Sequence, residues 1–154
     1  GLDGRFFAHM EEIDLCWRML SRGGAIYAVP QGTAYHVGGA TLSKSNPRKT
    51  YLNFRNNLLM LYKNLPDDEL RGVMLVRTVL DYVAALKFLF TGAWGSFRAV
   101  LRARCHYRRL RGSYEAARRD NIVSTVGTVW GRLPFSLLWQ YYVRGRKTYT
   151  RLKM

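Results

Sequence analysis

Acidic residues are scarce in this chain. Ten Asp and Glu stand against twenty-five Lys and Arg, a formal charge of +15 over 154 residues. Such an imbalance calls for an anionic partner: nucleic acid, a phosphorylated ligand or an anionic membrane surface. Cysteine is equally rare. Cys16 and Cys105 lie far apart, match no zinc or redox spacing, and read as reduced structural thiols. There is no internal repeat, no low-complexity linker, no signal peptide, no Gly-rich phosphate loop and no Asp-x-Asp. With nearly half its residues apolar and 14% aromatic, the chain is nevertheless equipped to build a core.

The few acids are unevenly placed. Glu11, Glu12 and Asp14 fall within four residues of one another, whereas Arg98 to Arg111 and Arg144 to Lys153 are strongly basic stretches. Helical spacing predicts a helix over about 10–22, with Ile13, Trp17 and Leu20 on one stripe and Gly23-Gly24 as its stop. "AIYAVP" then reads as a short strand and "TAYHVGG" as an extended stretch ending in a glycine turn. Asn46-Pro47 is an N-cap followed by proline at the first helical position. From there Tyr51, Phe54, Leu58, Leu61 and Leu65 recur at helical intervals up to Pro66. A second helix spans about 67–91. Its run "GVMLVRTVLDYVAALKFLF" is interrupted by Arg77, Asp81 and Lys87, a polar stripe suited to an in-plane interfacial helix or one packed on a partner. The stretch 98–111 is also expected to be helical. The aromatic, basic end, with Trp139, Tyr141 and Tyr142 beside Arg144 and Arg146, suits a water–lipid boundary.

On spacing, Glu11 and Asp14 form an (i, i+3) pair and Glu12 points elsewhere. The cluster can be a solvated first turn favoured by the helix dipole, or a place where a proton or cation is handled. His36 can be a structural residue or a metal ligand. Arg48 and Arg55, seven residues apart, can be a solvated cationic face or can meet a diphosphate.

A resemblance adds to this reading. "GRFFAHMEEIDLCWRMLSRGGAIYAVPQGTAYHVGGATL" is similar to the C-terminal part of the catalytic domain in inverting glycosyltransferases of family 2. In that family a phenylalanine-rich turn precedes an acidic pair, then hydrophobic-Asp-Leu, an arginine, a short strand with proline and a His-x-x-Gly. The run "NPRKTYLNFRNNLLMLYKNLP" resembles a subset with an Arg-Asn pair, and the tail "SLLWQYYVRGRKTY" resembles membrane-associated bacterial members. The resemblance implies an α/β, helix-rich fold. Residues 1–65 would be the acceptor-side part of a GT-A domain, and 66–154 a helical membrane-associated region. It implies Glu12 as the general base, where the family more often has Asp, with Glu11, Asp14 and Arg18 orienting the acceptor. His36 would meet a divalent metal, Mn or Mg, and Arg48 and Arg55 the donor diphosphate.

The expected partners are therefore a nucleotide sugar, a glycan or polyprenyl-linked acceptor and an anionic membrane surface, with no nucleic acid. The expected setting is polysaccharide biosynthesis at the cytoplasmic face of a bacterial cell membrane, in peripheral or monotopic attachment. The nucleotide-binding strands and the Asp-x-Asp motif are expected upstream of Gly1, so the chain by itself is expected not to transfer sugar. A nucleic-acid-binding module, or a non-catalytic membrane-surface adaptor, remains the alternative for so basic and aromatic a chain.

Overall fold

A computed structural model describes residues 1–35, 46–127, 129, 133 and 135–152. The chain opens with a 3-10 turn over Gly4–Phe6, capped by Asp3, whose side chain accepts from the Arg5 amide. Helix α1 follows over Glu11–Ser21. Arg22, Gly23 and Gly24 then close it: the Gly24 amide reaches back to the Met19 carbonyl at 2.9 Å. Gly23 adopts φ +77°, a left-handed conformation that glycine enters without a Cβ penalty.

Helix α2, Pro47–Asn64, begins as its sequence predicts, with the Asn46 side chain accepting from the Arg48 amide at 2.9 Å. Pro66 separates it from α3, Asp67–Phe90, and a short break at Thr91–Ala93 leads into α4, Trp94–Leu110. A 3-10 turn over Arg111–Tyr114 runs directly into α5, Glu115–Val123. A five-residue π-turn, Trp139–Val143, and a 3-10 turn, Tyr149–Arg151, complete the described residues.

The architecture is all-α. The expected α/β class is overturned, because no strand forms among the described residues. In the run read as a strand, Ala25 to Val29, the chain has no ladder partner and Ile26, Tyr27 and Val29 lie exposed. A strand is stabilised by its neighbour's N–H and C=O groups, and an apolar hexapeptide without one gains nothing from extension. Thr33 to Tyr35 likewise form no regular element, and the rest of "TAYHVGG" lies outside the described residues.

Helix α2 is central and packs most extensively on α4, with α1, α3 and α5 around it. The core joins the start of the chain to its middle: Phe6, Leu58, Leu59 and Met60 meet Tyr107 and Tyr114, with Met10, Trp17, Tyr62 and Met74 against them. Gly95 allows a close approach of α4 to the start of α2, since a Cβ there would stand 2.6 Å from Cγ of Pro47. Arg118 of α5 caps the end of α2 by donating to the carbonyls of Tyr62 and Leu65 while pairing with Asp67. Among the described residues, no helix is long and apolar enough to cross a membrane.

The polar stripe of α3 is turned largely toward the protein. Asp81 is wholly buried, 2.8 Å from an Arg77 terminal nitrogen and 2.7 Å from Arg104 of α4. Arg104 also donates to Thr78 at 2.7 Å. The Arg77 guanidinium lies over Phe54 of α2, so this part of the stripe faces the protein, while Lys87 is exposed. Burial pushes the Asp81 carboxyl upward against the pull of its two arginines.

Candidate active site: the strained turn and the start of α1

The segment before α1 bends sharply. Phe7, His9 and Met10 have φ values of 67°, 69° and 73°. Phe7, with ψ −55°, is the centre of a γ-turn closed by the Ala8 amide on the Phe6 carbonyl at 2.8 Å. That geometry is rare and strained for an L-residue, at roughly 1–3 kcal/mol each, and it persists only where the surroundings impose it.

Helix α2 imposes it. The side-chain amide nitrogen of Asn56 donates to the carbonyls of Phe6, Ala8 and His9 at 2.9, 2.8 and 2.9 Å. Its oxygen accepts from Nε of Arg55 at 2.8 Å, which fixes the amide's orientation. Arg55 reaches over it to the carbonyls of Arg5 and Phe6 at 3.3 and 3.1 Å. Two adjacent residues of one helix thus hold five carbonyl contacts of the bend. Beneath it, the Phe6 ring stacks on Tyr114 at 6.1 Å.

The bend aims the acids in three different directions. Asp14 is wholly buried, bonded to Lys63 at 2.7 Å, Asn64 at 2.8 Å and Arg18 at 2.9 Å. Lys63 also pairs with Asp3 at 2.9 Å. Hydrogen bonds from Arg5, then from Lys63, hold the Asp3 carboxyl well below the usual carboxylate range. Glu11 is half-buried, with one buried oxygen that has no hydrogen-bond partner, as has Nε2 of His9. Glu12 alone of the three is exposed.

Of the residues singled out from sequence, Asp14 and Arg18 are therefore brought together, and Arg18 also ties to the Gly1 carbonyl at 2.7 Å. Arg48 is exposed, its guanidinium 5.0 Å above the Phe7 ring, beside the bend. Arg55 lies against Tyr51 and the carbonyls already described. His36 lies outside the described residues. Among the described residues no three His, Cys, Asp or Glu come together as a metal site, and both oxygens of Asp14 are occupied by cations and an amide. The described side chains do not make a donor set for Mn or Mg.

Sequence reasoning missed Asn56 and Lys63. Their signal was present: both are polar positions inside the apolar stretch of α2, and both are buried. Buried polar groups require partners, so such positions point to a contact elsewhere in the chain. No family model, curated protein or solved structure matches this chain.

Proposed function

We propose that this chain carries the acceptor-side base of an inverting sugar transfer from a nucleotide sugar to a glycan or polyprenyl-linked hydroxyl. The observation that supports it most is the clamped bend. Strain of this kind persists where a group has to be held in place, and the group held here is the start of α1 with its exposed carboxylate, Glu12.

In this reading the acceptor hydroxyl donates its hydrogen to Glu12 as its oxygen attacks the anomeric carbon. The bond from that carbon to the nucleotide diphosphate breaks on the opposite face, and the proton remains on Glu12. Arg48, an exposed cation beside the bend, would in this reading meet a diphosphate oxygen. Arg55 and Asn56 act as positioning residues through the backbone they hold. Asp14 and Lys63 support α1 from below.

The test is turnover of a panel of nucleotide sugars on polyprenyl-linked acceptors, in the protein expressed from its natural reading frame. Glu12→Gln is expected to lose about 10²–10⁴ in rate with donor affinity retained. Near-normal turnover in that variant removes Glu12 from the chemistry.

A further inference from the structure

Helix α3 is inverted relative to an ordinary helix of a water-exposed protein. Its inward side carries Arg77, Thr78 and Asp81, joined to Arg104 in a buried network. Its outward side carries Leu75, Val76, Val79, Val83, Leu86 and Phe90, all about half exposed or more, with Phe90 at 84%. At 3.6 residues per turn these six fall within roughly a third of the circumference and run about 22 Å along the axis. An ordinary amphipathic helix buries that face and gives its charges to water. Here Asp81 is buried beside Ala85 and Met74, while the longer apolar face is left exposed.

We propose that this outer face of α3 lies in the plane of an anionic lipid bilayer, with the apolar residues among the acyl chains and α2 and α4 above it. The inference rests on nothing in the sugar-transfer reading. Exposed Arg71 and Lys87 border the stripe on its two sides, where they reach headgroup phosphates. Trp94, 59% exposed, follows at its end, and aromatic rings of that kind settle at the headgroup level. The inner network adds to the attraction: two guanidinium groups share one carboxylate, leaving a net positive charge behind the apolar face. Three acids, Asp67, Asp68 and Glu69, precede Leu75 by roughly two turns, about 9–12 Å, and Asp67 is paired with Arg118.

The competing occupant is a second copy of this chain, and charge argues against it. Two chains of formal charge +15 repel as wholes, and pairing their α3 faces brings Arg71 and Lys87 of both copies to one seam. An anionic bilayer complements the same charges.

The experiment is flotation with vesicles of phosphatidylcholine alone or with 30% phosphatidylserine. The wild-type chain is expected to float with the anionic vesicles and to be released by salt. Val79→Asp with Val83→Asp, both at exposed positions, is expected to abolish flotation with the thermal midpoint unchanged. Arg71→Glu with Lys87→Glu keeps the apolar face and is expected to weaken binding at least about 25-fold at low salt, about fivefold per charge. Undiminished flotation of the Val79/Val83 variant overturns the proposal. So does a wild-type chain that ignores vesicles and sediments as a dimer which that variant dissociates, since the face then belongs to a second copy.

Discussion

The ammonium of Lys63 stands 2.7 Å from the carboxylate of Asp14 across forty-nine residues of sequence, and both side chains are almost completely shut off from water. Removing one member of such a pair leaves a charge buried without compensation, which costs about 3–5 kcal/mol. Lys63→Met is expected near the lower end, because Arg18 and Asn64 still serve Asp14. Urea unfolding measures it, and a loss below 1 kcal/mol would show that the pair adds little.

Two neighbouring acids should separate by what they do. Asp14→Asn is expected to destabilise the fold by several kcal/mol, since three donors lose an anion. Glu12→Gln, at an exposed position, is expected to stay within about 0.5 kcal/mol of wild type. Equal stability of the two variants would refute this division between a buried, bonded acid and an exposed one.

The γ-turn gives a comparison within one site. Phe7 is largely exposed and has φ 67°, so glycine there removes the left-handed penalty while alanine keeps it. Phe7→Gly is expected to be more stable than Phe7→Ala by about 1–2 kcal/mol. Thermal denaturation of both variants decides it; no difference would mean the turn is unstrained.

Asp3 makes stability depend on acid. Its folded carboxyl is depressed, so its contribution is complete at pH values above the ordinary carboxylate pKa of 3.8 and is lost as pH falls below that. The stability gap between wild type and Asp3→Asn should be constant near neutrality and close below about pH 4. A gap that does not shrink between pH 4 and pH 2 contradicts the pairing with Arg5 and Lys63.

At the alkaline end, burial and then the charge of Asp3 push the Tyr114 phenol up to about 12. A raised folded pKa stabilises below the unfolded value of 10 and loses that contribution as pH rises toward 12. Tyr114→Phe should flatten the fall in stability over that interval. An unchanged slope would place the alkaline loss elsewhere.

Local signals in the sequence carried most of the helices. Asn46-Pro47, Pro66 and Gly23 each act on the backbone beside them, and α1, α2 and α3 start or stop where those residues stand. What failed was what depends on distant neighbours. "AIYAVP" has the composition of a strand, but a strand exists only with a partner. Helical periodicity grouped Arg77, Asp81 and Lys87 on one side, yet it cannot tell which side meets the protein. The site was half legible for the same reason. The acids were conspicuous in sequence, whereas Asn56, which holds the bend before them, shows only as a polar residue in an apolar helix.

The reversed polarity of α3 also sets which mutations the protein can absorb. In most helices an exposed valine drifts freely to lysine or glutamate, and a buried aspartate is an oddity. Here Val79 and Val83 should resist charge while Asp81 and Arg104 resist replacement by leucine. A saturation library selected for function would give a tolerance profile along 75–90 that is a half-turn out of phase with that of α2.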